Sequence, residues 1–130
     1  MKKGFIFLLA LIVAIILPSY SYAMTCSQFI SLGHDATNEK EVLASPATKK
    51  QISEFKKVIA EHAGEISAIG WFSDRKKALN LIMEKGLIAV YLRESLALTR
   101  EKCFNRPEEV MGEVAEGEFN YLLDAVAENL

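Results

Sequence analysis

Cysteine, proline and tryptophan are scarce in this chain of 130 residues, with two, three and one of each. Cys26 and Cys103 form no Cys-x-x-Cys pair, which argues against a thiol redox centre. His34 and His62 fall in different elements, with no cysteine or carboxylate at ligand spacing on a shared face, so no metal site is expected. No serine stands in Gly-x-Ser-x-Gly. Glu108-Glu109 reads as a solvated helix start rather than acid-base machinery. With none of the usual catalytic roles filled, the chain is not expected to be an enzyme, and no cofactor is implied. Basic residues are not concentrated on any one face, which excludes nucleic acid as a partner. There is no hairpin signal, internal repeat or low-complexity stretch.

What is there begins with the first 23 residues. Lys2 and Lys3 precede an uncharged apolar run from Gly4 to Leu17. Pro18 breaks that run, and Ser21-Tyr22-Ala23 puts small residues where a signal peptidase reads. The run is short for a membrane span of about 20 residues. Residues 1–23 are therefore expected to be a cleaved secretory signal, with an uncleaved anchor as the alternative, and 24–130 one modest domain. Ala23 and Thr25 fit a lipobox around Cys26 poorly. A periplasmic or secreted location follows, without stable membrane insertion after cleavage. That compartment permits a disulfide, and two cysteines allow only Cys26–Cys103.

Removing Lys2 and Lys3 leaves 13 basic residues against 17 acidic ones, a net charge of −4. Seven carboxylates and no Lys or Arg lie between Pro107 and Leu130. Below about pH 3 those carboxylates protonate. The domain would then carry about +15 with both histidines charged, enough self-repulsion to loosen a fold or a dimer.

Helical spacing dominates the domain. Thr25-Cys26-Ser27-Gln28 fits a capping box, with Phe29 and Ile30 turned inward and Gly33 ending a short helix. His34 to Ala44 reads as a connecting loop with room for a turn of helix. Ser45-Pro46 is a start signal for a helix carrying Ile52, Phe55, Val58 and Ile59, and Gly64 is its expected stop, with His62 a cap or surface residue near that end. Ile66, Ile69 and Phe72 continue at helical spacing, and Ser73-Asp74 either caps a new helix or lies within a longer one.

Gly86 to Cys103 is the stretch around which the rest is expected to pack. Ile88, Leu92, Leu96, Thr99 and Cys103 share a face, and Leu87, Tyr91 and Leu98 flank it. A helix apolar over that much of its circumference belongs inside a bundle. Asn105-Arg106-Pro107 restarts a last helix, with Glu108 and Glu109 in its first turn. Its buried face is expected at Val110, Met111, Val114, Tyr121, Leu122, Ala125 and Val126. The whole predicts an all-α, small single-domain bundle of four to six helices with one disulfide. Ile69, Gly70, Trp71 and Phe72 read first as core; their second reading is a protein-binding or dimer surface, where small and aromatic residues meet closely.

Taken in order, these residues resemble the small periplasmic acid-stress chaperones of the HdeA/HdeB family. Thr25-Cys26-Ser27-Gln28-Phe29 looks like that family's opening segment. Gly70-Trp71-Phe72 resembles its middle small-plus-aromatic stretch. Cys103-Phe104-Asn105-Arg106-Pro107 is similar to its second cysteine and following proline. The resemblance implies an all-helical fold with one disulfide between the first and a late helix, Cys26 to Cys103 here. It also implies a homodimer at neutral pH that opens in acid and holds unfolding periplasmic proteins, with the residues around Trp71 as the contact surface. The competing expectation is a periplasmic inhibitor or immunity protein that blocks one specific enzyme, with the acidic last helix occupying a basic cleft.

Overall fold

The computed structural model describes residues 24–33, 38–68 and 73–130, and within them six α-helices and no β-strand. They are α1 (Cys26–Ser31), α2 (Glu39–Ala44), α3 (Lys49–Ala68), α4 (Asp74–Glu84), α5 (Ile88–Asn105) and α6 (Met111–Ala127). The expected all-α bundle with one disulfide is what the chain forms. The apolar run proposed as a signal, His34, and the four residues 69–72 lie outside the described residues.

The opening turn follows the sequence closely. Thr25 Oγ1 accepts the Gln28 N–H at 3.2 Å, and Gln28 Oε1 accepts the Thr25 N–H at 2.9 Å, a reciprocal capping box. The same device recurs at α3. Thr48 Oγ1 accepts from the Gln51 backbone at 3.3 Å while Gln51 Oε1 accepts from the Thr48 backbone at 3.2 Å. This pair, not Ser45-Pro46, starts α3. Ser45 instead caps the carboxyl end of α2, a helix inside the segment expected to be mainly loop. Gly64 does not stop α3, which runs on to Ala68. The cost of a glycine inside a helix, about 1 kcal/mol, is smaller than the packing on either side of it.

Pro107 does not restart the last helix. Residues 106–110 run alongside 24–27, and α6 begins at Met111. The pairing is local chemistry. The first N–H groups of a helix have no partner inside it. Here Cys26 N–H donates to the Glu109 carbonyl at 2.7 Å and Ser27 N–H to the Pro107 carbonyl at 3.0 Å. The Met111 N–H donates to the Met24 carbonyl at 2.8 Å. Glu108 and Glu109 are thereby left exposed outside the helix. The Cys26–Cys103 disulfide, with Cα atoms 4.6 Å apart, fixes this junction to the end of α5. It spans 77 residues, worth about 4.5 kcal/mol in the chain-entropy model.

The innermost helix is α6. It packs against α3, α4 and α5, and buries Met111, Gly112, Val114, Ala115, Glu118, Phe119 and Leu123. Tyr121 and Ala125, expected inside, face out. The α5 helix lies between α6 on one side and α1 and α2 on the other. Its buried positions are Ser95, Leu96, Thr99 and Cys103. The Ser95 and Thr99 hydroxyls donate to the Leu92 and Ser95 carbonyls of their own helix, so those polar groups are satisfied where they are buried. The predicted stripe has the right phase, but Leu87, expected to flank it, remains exposed.

Candidate functional site

Two features of the described residues offer chemistry or a surface. The first is an apolar groove of about 550 Å³ between α3, α4 and the start of α5. The α3 wall is made of small side chains, Ala60, Ala63, Gly64 and Ser67, with Ile59 deeper. Leu79 and Met83 of α4 face it, and Ile88 and Leu92 of α5 line it too. Phe119, fully buried on α6, closes its depth. Met83, 58 % exposed, stands on the lip. A Cβ placed on Gly64 meets no atom of the described residues within 4 Å, so the described wall leaves room at that point. Lys56 borders the groove, and Lys49 and Lys57 continue beside it over Ile52 and Ala60. The groove is thus apolar within and basic along one edge.

The second feature is a polar cluster behind that groove. His62 is buried in the middle of α3, not at a helix end where the sequence reading placed it. Its Nε2 lies 2.7 Å from Asn120 Oδ1 of α6. An amide oxygen only accepts, so Nε2 carries a proton; in the neutral ring Nδ1 then holds a lone pair. Phe119 meets the imidazole edge-on, ring centres 6.4 Å apart, and fixes its plane. Among the described residues, buried Nδ1 has no hydrogen-bond partner. It faces Glu65 Oε2 at 3.7 Å and Glu116 Oε1 at 3.8 Å. The sequence reading found no carboxylate at ligand spacing from His62. Glu65, three residues on along the same helix, is one.

Two ionic contacts tie other helices to α6. Arg75 of α4 makes a two-pronged contact with Asp124, its Nε and Nη2 at 2.9 and 3.0 Å from the two carboxylate oxygens. That hydrogen bonding holds the Asp124 carboxyl below its ordinary value and the Arg75 guanidinium above its own. Lys102 of α5 pairs with Glu118, a carboxylate buried in the helix interface. Arg100 of α5 donates through Nη1 to the Ser45 carbonyl at 2.7 Å, closing the end of α2. Burial lowers its pKa from the ordinary arginine value.

Of the residues expected to carry function, Cys26 and Cys103 are joined in the disulfide. Ile69, Gly70, Trp71 and Phe72 lie outside the described residues. The groove residues were not singled out by sequence because they come from four separate helices. No helix among the described residues is long and apolar enough to cross a membrane. Compared with known proteins, the chain matches no family model, no curated protein and no solved structure.

Proposed function

We propose that the chain is a periplasmic HdeA-like protein-binding domain that holds other proteins by their apolar segments, with acid as the activating condition. The observation that carries this reading is the open apolar groove. Its depth is closed by Phe119, its α3 wall is lined by small residues that allow close approach, and one edge is basic. This geometry suits an amphipathic helix laid in by its apolar face. The motif order around the two cysteines supplies the acid-stress part of the proposal. Protonation of the acidic carboxyl-terminal segment supplies its physical cause.

Light scattering of an aggregating client protein, at pH 7 and at pH 2 to 3, tests it. The wild-type protein is expected to suppress aggregation in acid, and Gly64→Phe, which fills the open point of the groove wall, to lose at least half of that suppression. Gly64→Ala should keep it. No suppression by the wild type at either pH overturns the holding activity; full suppression by Gly64→Phe moves it away from this groove.

A further inference from the structure

We propose that His62, Glu65 and Glu116 form a binding site for a divalent transition-metal ion of the zinc class, clamping α3 to α6. The argument begins with the histidine. Asn120 Oδ1 accepts a hydrogen bond from Nε2–H, so in the neutral ring the Nδ1 lone pair is on the side of the two carboxylates. Three electron-rich donor atoms then converge within 4.8 Å of one another. Among the described residues no donor comes to Nδ1, a nitrogen with under 1 Å² of exposed surface. An orphaned buried acceptor facing two anions is an unfavourable arrangement unless a cation lies between them.

The distances favour a metal over a proton. At 3.7 and 3.8 Å the Nδ1–carboxylate separations are beyond hydrogen-bond range. A tetrahedral ion with bonds of about 2.0–2.2 Å spaces its donor atoms about 3.4 Å apart, close to the two distances from Nδ1, while the full set spans up to 4.8 Å and must draw together. Glu65 is mostly exposed and free to close that gap by rotating. One neutral imidazole and two carboxylates balance a charge of +2. The nitrogen donor selects zinc-class ions over calcium or magnesium, which prefer all-oxygen sets. Three protein ligands leave a fourth position for water.

The supporting contacts match those of a metal-bound histidine, whose second ring nitrogen almost always donates to a fixed acceptor. Asn120 plays that part, one turn beyond Glu116 on the same face of α6. Both helices therefore contribute, and the ligands close a span of more than fifty residues.

The test is a zinc titration of the tag-free, disulfide-intact protein, by calorimetry and by ¹⁵N NMR of the imidazole nitrogens. One zinc ion per chain is expected, with the His62 Nδ1 resonance shifted and Nε2 still protonated. Glu116→Gln and Glu65→Gln should each weaken binding at least tenfold, and Asn120→Ala by about ten- to a hundredfold. His34→Gln, the variant of the other histidine, should leave it unchanged. Because Glu65 is exposed, its variant is expected to fold even if substitutions at His62 do not. Zinc binding that is absent, that leaves the His62 resonances unmoved, or that survives both glutamate substitutions overturns the site.

Discussion

Where α1 meets the linker before α6, a disulfide, three cross-linking backbone hydrogen bonds and a reciprocal cap converge within a few residues. At the other end, about 22 Å away along α5, α3, α4 and the start of α5 enclose an apolar groove with small residues on one wall. Among the described residues no disulfide reaches that end, and α4 is tied to α6 by packing and the exposed Arg75–Asp124 pair. The two ends divide two requirements that conflict in a small domain. Satisfying every helix terminus makes one end stiff and leaves nothing to bind with. An uncovered apolar surface costs stability and supplies the surface a partner can bury. The stiff end contributes the stability that lets the other stay open.

Cutting the staple is the largest way to break this contrast. Cys26→Ser with Cys103→Ser should lower unfolding free energy by about 4 kcal/mol, measured in urea. For a domain whose net stability is of the order of 5 to 15 kcal/mol, that is a large fraction. If the ends are as separate as they appear, hydrogen exchange in the folded fraction should accelerate first in α1 and in 106–111, before α4. Uniform acceleration would show one cooperative unit.

Gln51 is the next lever. Its amide caps α3 through Thr48 and donates to the Phe29 and Ile30 carbonyls, at 3.2 and 3.5 Å, at the end of α1. The Thr48 hydroxyl adds a bond to the Leu32 carbonyl at 3.2 Å. Gln51→Ala should cost about 1–3 kcal/mol, because it removes the acceptor of the Thr48 N–H and the side-chain donor shared by the two α1 carbonyls. Gly33→Ala should fall in the same range by a different route, since its Cβ would stand 2.7 Å from Gln51 Nε2. Thermal unfolding of both variants and of the double variant checks this. A double variant no worse than the worse single one identifies a shared cause.

What was legible in the sequence differs between the ends for a physical reason. The α1 cap was readable because Thr-x-x-Gln is local, and the disulfide because there were only two cysteines. Thr48 and Gln51 carry the same signature, three residues past Ser45-Pro46, where the helix was expected to start. What decides between them is the carbonyls of α1, which come from more than twenty residues away. The inward phase of α6 was obscured by Glu118. A carboxylate at a core position counts as surface until Lys102 is seen beside it. Tyr121 stands among the positions expected inside and Phe119 does not, whereas Phe119 is fully buried and Tyr121 exposed. His62 and Glu65 were legible as a pair three apart, whereas Glu116 and Asn120 meet them only through the packing of α6 on α3. The groove had no local signature at all.

The smallest expected effect concerns how acid reaches the open end. Arg75 and Asp124 are both about half exposed, so their pair is worth roughly 0.2–1 kcal/mol and is screened by salt. The folded protein holds the Asp124 carboxyl below its ordinary value of 3.8, chiefly through the Arg75 hydrogen bonds. Stability from a lowered carboxyl is complete above the unfolded value and disappears as pH falls through the folded one. Arg75→Gln should therefore destabilise the protein slightly at pH 7. The difference from wild type should shrink as pH drops below about 3.8 and vanish once Asp124 is protonated in both states. Urea midpoints at pH 7, 4 and 2.5 measure this. A gap that stays constant with pH would mean that α4 is held by packing alone, and that any acid response of the groove must come from the wider charge on α6.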